Sequence, residues 1–183
     1  MSSTSQLAIL RHEHDVAIGL MTSILDQAQA FASSSSGSQS PADMRRAMQE
    51  LGDAMLLHFR VEEEGLYPRA RQIAAEGAPR VDILTSFFNE ESDDDLKAHA
   101  LLRARLKELG AMLDRARTDG LSAELAARLA SAAHATHDLL SRHASKETTL
   151  IFPLIERFLD TAQMAAVEER MRSIRQSAPN LTC

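Results

Sequence analysis

A chain of 183 residues, 44% of them hydrophobic, is long enough to bury one substantial core, which predicts a single domain over residues 1–183. Seven glycines and five prolines are few for this length, so the local preferences favour helix and predict an all-α fold. The 20 basic and 26 acidic side chains give a formal charge of −6 with no basic stripe, which argues against a nucleic-acid partner.

The first predicted helix extends from about Ser5 to Phe31, where apolar residues recur at three- and four-residue spacing. This spacing is typical of a helix with one buried face. The serine-rich run 33–40 cannot bury apolar surface and predicts an exposed loop. Ser40 is a suitable N-cap for the second helix, with Pro41 at its first position.

The second helix is predicted to continue to Gly77 with a kink at Pro68, because a proline inside a helix removes a backbone hydrogen bond. Residues 78–92 are interpreted as a long connection that contains at most one short helix. The acidic run 93–95 favours the N-terminus of the third helix, and the Asp-Gly pair 119–120 ends it.

Ser122 is expected to cap the fourth helix, which runs to about Leu159. A last amphipathic piece covers residues 161–175. The sequence therefore predicts an antiparallel four-helix bundle over about residues 5–160, followed by a short extra helix in the C-terminal extension 161–183.

The only cysteine, Cys183, stands at the end of the sequence and favours a reducing cytoplasm, since it has no internal partner for a disulfide. The first residues lack the features of a signal peptide, and no segment has the roughly 20 apolar residues that span a bilayer. These features predict a cytoplasmic protein with no membrane contact.

An internal repeat carries most of the chemical information. Positions 85 residues apart hold the same residue types, which pairs His14 with His99, His58 with His143, and Glu62 with Glu147. The same offset aligns Leu66-Tyr67-Pro68 with Ile151-Phe152-Pro153, whereas His12 falls on Lys97. The repeat therefore selects His14 rather than His12.

The glutamate of each repeat lies on the same helix face as its histidine. His58 and Glu62 are four residues apart and so differ by about 40° around the helix axis. Glu63 and Glu64 lie about 140° and 240° from His58, which predicts that both turn away into solvent. Counting from the helix ends places the paired histidines at one level of an antiparallel bundle.

Six ionisable side chains at one level of an apolar core would cost several kcal/mol unless a metal satisfied them. The predicted metal ligands are His14, His58, Glu62, His99, His143 and Glu147. Four imidazoles and two carboxylates suit iron, with manganese or zinc as alternatives, and the two glutamates could bridge two ions.

The remaining histidines are predicted to stand outside the metal site. His12, His134 and His137 lie about 120° to 180° from the nearest predicted ligand on their helices. Tyr67 and Phe152 are predicted to form walls of the site. No catalytic residue is assigned from the sequence.

These motifs resemble those of the haemerythrin-like, HHE cation-binding family. The matching parts are Glu13-His14, residues 58–63, His99, residues 143–147 and the two aromatic-Pro motifs, over about residues 5–160. The resemblance implies an up-down four-helix bundle that holds two non-haem irons per chain. Carboxylates would bridge the irons, with an oxo bridge as a further option.

The chain departs from the oxygen carriers of that family, which use five histidines and two carboxylates. Asp95 and Arg103 stand one turn on either side of His99, so the fifth imidazole on the third helix is absent. The pattern is closer to the family's subgroup with four histidines and two glutamates. One iron should then keep an open position, and simple reversible oxygen carriage is not expected.

Two functional classes remain open. A binding module would take O2, NO or peroxide at the open iron position, for sensing, stress response or the handling of iron and oxygen. An enzyme would turn over peroxide or NO at the same position. Iron-centre repair proteins of the family carry an added cysteine-bearing domain, for which these 183 residues leave no room. Binding is the favoured interpretation, and the sequence does not indicate a protein partner.

Overall fold

A computed structural model describes residues 5–33, 41–76 and 82–178. Every regular element in these ranges is helical, and no strand occurs within them. The all-α prediction is therefore confirmed. None of the helices in these ranges is both long and apolar enough to cross a membrane.

Seven α-helices and two π-helical segments make up the described part of the chain. The helices are α1 (Gln6–Ser33), α2 (Pro41–Val61), α3 (Tyr67–Glu76), α4 (Asp82–Asp119), α5 (Ala123–Lys146), α6 (Phe152–Phe158) and α7 (Thr161–Ser177). The segment π1 (Glu62–Leu66) joins α2 to α3, and π2 (Glu147–Ile151) joins α5 to α6.

Four helices form a closed ring, because α1 and α4 each pack against both α2 and α5. Neighbouring helices run antiparallel. Arg45 at the start of α2 binds Asp114 near the end of α4 at 2.7 Å, whereas Arg71 of α3 binds Asp93 in the first half of α4 at 2.6 Å. Contacts between α1 and α5, and between α4 and α5, show the same reversal. The result is the expected up-down bundle.

The core consists of two apolar clusters separated by a polar layer. Along α1, His14 lies between Leu10 of one cluster and Ala17 of the other. On α5 and π2, the ionisable residues lie between Leu140 and Ile151 in the same way. Buried ionisable side chains therefore share one level of the bundle, which positions the site described below.

The two π-helical segments begin at equivalent positions of the sequence repeat, Glu62 and Glu147. In π1 the backbone N–H of Tyr67 bonds to the carbonyl of Glu62, one residue further back than in an α-helix. A proline ring in an α-helix would collide with the carbonyl four residues earlier. The irregularity predicted at Pro68 is thus a widened turn that comes before this proline.

The prediction for residues 78–92 is wrong, because α4 begins at Asp82 and includes the acidic run 93–95 in its interior. Residues 77–81 lie outside the described ranges. Phe88 is buried against Tyr67, with ring centroids 6.5 Å apart, and continues the buried face of α4 towards its N-terminus. The helix extends because this face has a packing partner in α3.

Other predicted boundaries agree with the structure. Helix α4 ends at Asp119, and Gly120 has a φ of 83°, which favours glycine. Ser122 caps α5 by accepting a hydrogen bond from the backbone N–H of Leu125 at 3.2 Å. The predicted N-cap Ser40 and the helix end at Gly77 lie outside the described residues.

Helix α7 packs closely on π1. Its buried residues Val167, Met171 and Ile174 belong to the apolar cluster at that end of the bundle. A Cβ atom added to Gly65 would lie 2.9 Å from Cδ1 of Ile174 and 3.3 Å from Cγ of Met171. The approach of α7 therefore leaves little space for a Cβ atom at this position, because the side chain of Ile174 would have to shift.

Gly65→Ala should lower the free energy of unfolding by about 1 kcal/mol, because the added methyl group overpacks the contact with α7. Gly19→Ala is the matched control, since no atom lies within 4 Å of a Cβ added to that helical glycine. It should raise stability by about 0.5–1 kcal/mol. Urea unfolding of both variants provides the measurement. Equal stabilisation by the two substitutions would contradict the close packing at Gly65.

Candidate metal centre

The six predicted ligands converge in the polar layer of the bundle. Each ring helix supplies one histidine and each π-helical segment begins with one glutamate; the residues are His14, His58, Glu62, His99, His143 and Glu147. None of them exposes more than 3% of its surface. Six ionisable side chains therefore share a site from which water is largely excluded.

Glu62 lies between histidines of two helices. Its Oε1 is 3.3 Å from Nε2 of His58, and its Oε2 is 3.3 Å from Nε2 of His99. Each carboxylate oxygen thus faces a different imidazole. Glu62 is thus placed to share a cation with imidazoles of α2 and α4.

Glu147 has a similar position on the opposite side. Its Oε2 is 2.8 Å from Nε2 of His14 and 3.7 Å from Nε2 of His143. Its Oε1 is 3.9 Å from Nε2 of His99 and accepts a hydrogen bond from the hydroxyl of Tyr67 at 2.5 Å. Glu147 is therefore also able to connect ligands from several helices.

Two overlapping groups of ligand atoms result, and within each group all the atoms lie within 4.8 Å of one another. One group contains His14, His58, His143 and Glu147; the other contains Glu62, Asp95, His99, His143 and Glu147. The sequence repeat suggests instead that each His-Glu pair joins the histidine of the preceding helix. In the structure, each group combines residues from both halves of the sequence repeat. The reason is that α1 contacts both α2 and α5, which brings His14 close to His58 and His143.

Most of the inward-facing atoms have no hydrogen-bond partner among the described residues. These atoms are Nε2 of His14, His58, His99 and His143, both carboxylate oxygens of Glu62, and Oε2 of Glu147. The 2.8 Å approach of His14 to Glu147 does not have hydrogen-bond geometry. Unpaired buried polar atoms are costly, and a cation that accepts their lone pairs would satisfy them. This buried His/Glu group is able to hold a metal ion.

Three carboxylates hold the imidazoles from behind. Nδ1 of His58 lies 3.0 Å from Glu13, Nδ1 of His99 lies 2.9 Å from Glu63, and Nδ1 of His143 lies 3.0 Å from Asp95. A carboxylate at Nδ1 keeps the proton there and leaves Nε2 as the ligand atom. The structure therefore orients three imidazoles for metal binding.

Arginines hold two of these outer carboxylates. Arg103 donates two hydrogen bonds to Glu63, at 2.8 and 2.9 Å. Arg175 donates two to Glu13, at 2.5 and 3.0 Å. These contacts lower the pKa of both carboxyl groups even though burial alone would raise it. Both glutamates consequently remain ionised acceptors.

Asp95 is a site residue that the sequence interpretation missed. It was expected at a helix N-terminus, but it is buried, with one oxygen on His143 and the other 3.3 Å from Nε2 of His99. Asp95 also accepts a hydrogen bond from the hydroxyl of Tyr67. A carboxylate thus stands one helical turn before His99 and faces the same buried group. The D-x-x-x-H spacing to His99 was the available signal.

The predicted orientation of Glu63 is also wrong. Its side chain is 26% exposed and contacts His99 and Arg103, because the direction that points away from His58 points towards α4. Glu64 is exposed as expected and pairs with Arg60 of its own helix. Only one of the two glutamates is therefore a surface residue.

The residues predicted to line the site, or to stand outside it, lie as expected. Phe152 stacks parallel to His14, with ring centroids 6.0 Å apart, and Tyr67 lies against Glu147. His12 and His134 are exposed, and His137 is half-buried beside Thr22. The last three histidines do not contribute to either ligand group.

The imidazoles have divergent protonation behaviour. Burial, together with the neighbouring His58, lowers the pKa of His14 to about 3. For His58 burial acts in the same direction, but the carboxylate of Glu62 outweighs it and raises the pKa to about 9. Burial would also lower the pKa of His99, but the nearby carboxylates of Asp95 and Glu62 outweigh it and raise this pKa to about 10.

Two acidic groups near the centre keep their protons. Burial, together with the negative charges of Glu62 and Asp95, raises the pKa of Glu147 well above its usual range. Burial and the neighbouring acidic side chains of Glu147, Glu62 and Asp95 do the same for Tyr67. In the absence of a cation, protons therefore occupy positions in the site that a metal ion would replace.

Metal binding should release protons, because His58 and His99 have pKa values of about 9 and 10 and are protonated at pH 7 without a cation. At least these two protons must leave for both Nε2 atoms to bind metal. The apparent affinity should therefore rise as the pH increases from 7 towards 10. Calorimetric titration of the metal-free protein with Zn(II), in buffers of different ionisation heats, counts the protons. A pH-independent affinity without proton release would contradict the site.

The family model described as "Hemerythrin HHE cation binding domain" matches residues 5–95, which include the first His-Glu pair and end at Asp95. No curated protein matches the chain. The second His-Glu pair lies beyond the matched region and completes the same buried group. With this group at the centre of an all-α bundle, the chain belongs to the haemerythrin family of HHE cation-binding domains.

Proposed function

We propose that this protein is a non-haem di-iron protein that binds a small ligand, O2, NO or peroxide, at an iron position left open by the chain. Its role would be sensing, stress response or the handling of iron and oxygen. The observation that supports this proposal is the pair of overlapping ligand groups that share His143 and Glu147. Two adjacent groups with shared members suit a pair of bridged ions better than one ion.

The proposed ligands are His14, His58, Glu62, His99, His143 and Glu147. Imidazole and carboxylate donors are well suited to iron, and the two glutamates each face imidazoles of more than one helix. Manganese and zinc accept similar donors and are outcomes of the metal analysis. Iron would supply a redox-active centre at which a small ligand can coordinate.

Asp95 supports the proposal of an open position. One of its oxygens is bound to Nδ1 of His143, and the other accepts the hydroxyl of Tyr67. Both oxygens thus have partners within the protein, although one of them lies near Nε2 of His99. Asp95 orients its neighbours and does not replace a fifth imidazole as a committed ligand.

An enzyme that turns over peroxide or NO is the second candidate, and Tyr67 favours it. Its hydroxyl contacts both Glu147 and Asp95 beside the proposed ion positions. A proton donor beside the ion positions is what reduction of such ligands requires. The buried rings of Phe59 and Phe152 help to exclude water from the site.

Two further parts of the proposal concern the whole chain. We propose that residues 1–183 form one domain, supported by the packing of α7 on α1, α2 and π1. We also propose the cytoplasm as its location, supported by the single cysteine, Cys183, among 183 residues. The proposed binding partner is a small diatomic molecule or peroxide.

The purified protein should contain about two irons per chain, because the ligand atoms form two groups. His14→Ala, His58→Ala, His99→Ala and His143→Ala should each lower the metal content and the melting temperature, since a bound metal stabilises the native state. His12→Ala is the control, because this histidine is exposed. Elemental analysis and thermal unfolding provide the measurements. One metal per chain, or metal loss in His12→Ala, would contradict the proposal.

Tyr67→Phe distinguishes binding from turnover. If the protein is a binding module, the variant should bind NO with unchanged stoichiometry after anaerobic reduction, because the hydroxyl is not a proposed ligand. If it is an enzyme, peroxide consumption should fall by about 10²- to 10⁴-fold, the usual contribution of a positioned proton donor. Phe152→Tyr, at the equivalent position of the repeat, is the matched control. Steady peroxide consumption by the unmodified protein would decide against the binding module.

A further inference from the structure

Helix α7 lies outside the ring of four helices but is connected to the candidate metal centre through hydrogen bonds. Arg175 of α7 holds both oxygens of Glu13, at 2.5 and 3.0 Å. Oε2 of the same Glu13 lies 3.0 Å from Nδ1 of His58. An arginine on an added helix thus fixes the carboxylate that orients a proposed ligand.

The same arginine also joins α7 to the start of α1. Nε of Arg175 donates to the side chain of Gln6 at 3.2 Å, and the backbone N–H of Gln6 donates to Glu168 of α7 at 3.1 Å. The side chain of Arg175 is 17% exposed, so water screens these contacts only in part. Movement of α7 would therefore change the support of Glu13.

A second contact links α7 to the other ligand at this end of the site. Glu62 is the first residue of π1, and α7 packs closely on Gly65 of that segment, where a Cβ atom would lie 2.9 Å from Cδ1 of Ile174. Arg170 of α7 also donates to the backbone carbonyl of Glu64 at 3.3 Å. Helix α7 thus contacts the segment that carries Glu62 and the carboxylate that holds His58.

His99 also has a carboxylate at its Nδ1 that is held by an arginine, but this arginine belongs to a different kind of helix. There Arg103 holds Glu63, which lies 2.9 Å from Nδ1 of His99. Arg103 belongs to α4, one of the four ring helices that form the core. In the described part of the chain, the carboxylate at His58 is thus held by a helix outside the ring, whereas the carboxylate at His99 is not.

We infer that the docked position of α7 and metal binding by His58 and Glu62 stabilise each other through Arg175, Glu13 and π1. Because such coupling is reciprocal, loss of metal loosens α7, and loss of the α7 contacts weakens metal retention. The inference rests on the metal-binding part of the proposed function and not on the identity of the small ligand. It gives the protein a surface element whose order reports on the metal centre.

Hydrogen exchange of the full chain, metal-free and loaded with Zn(II), tests this coupling. Zn(II) is used because it occupies imidazole and carboxylate sites without reacting with O2. Amides of α7 should exchange about fivefold faster in the metal-free protein, at the lower end of typical coupling between sites. The N-terminal half of α5, at the far end of the bundle, is the internal reference and should change less.

Arg175→Gln should reduce this difference in α7 and speed the loss of Zn(II) to a chelator, again by about fivefold. Arg172→Gln is the matched control, because Arg172 pairs with Glu168 and Glu169 on its own helix. If Arg175→Gln does not fold, Arg175→Lys is measured instead, since lysine keeps the charge without the paired hydrogen bonds.

Three results would overturn the inference. The first is equal exchange of α7 with and without Zn(II) in the unmodified protein. The second is an Arg175→Gln protein in which α7 loosens but Zn(II) leaves at the original rate, which would show a purely structural contact. The third is absence of binding by any divalent cation, which alone would also remove the proposed function. Binding of Zn(II) with no response to O2 or NO by the iron-loaded protein would leave the coupling intact.

Discussion

The fold is built around buried ligand atoms that have no complete set of partners within the described protein. They lie between two apolar clusters, where an unsatisfied polar atom costs about 1–3 kcal/mol. A cation coordinated by these imidazoles and carboxylates would satisfy many of them at once, and its binding free energy would add to the stability of the fold. The same side chains therefore lower the stability of the metal-free protein and provide its capacity to bind metal.

The groups behind the candidate ligands reduce the cost of bringing them together. Glu13, Glu63 and Asp95 fix the rings of three histidines through Nδ1 before any ion is present. Arg175 and Arg103 neutralise the first two of these carboxylates near the surface. Such support preorganises the donor atoms, so less conformational entropy is lost when a metal binds. His14 lacks this support, because its Nδ1 has no partner among the described residues.

The sequence predicted the six converging residues because ionisable side chains repeated at one offset are conspicuous on apolar helix faces. It failed where the buried face is itself polar. Residues Phe88, Ser92, Asp95 and His99 follow the spacing of a buried helix stripe, but three of them are polar, so a search for apolar residues placed the start of the helix too late in the chain. The orientation of Glu63 was missed for another reason. Angular arithmetic gives the direction of a side chain but does not show which helix stands there, and the wider turn of π1 begins just before it.

The differences between the two repeats make the two ligand groups unequal. Tyr67 corresponds to Phe152 and Asp95 to Leu10, and all four residues are buried. Tyr67 and Asp95 contact each other, so both polar substitutions occur on one side of the site. The group with Asp95 contains three carboxylates, whereas the group with His14 has three imidazoles and the stacked ring of Phe152. Under the proposed function, an ion held by the group with Asp95 would face more negative charge than one held by the group with His14, and the open position would lie on the side of Asp95 and His99.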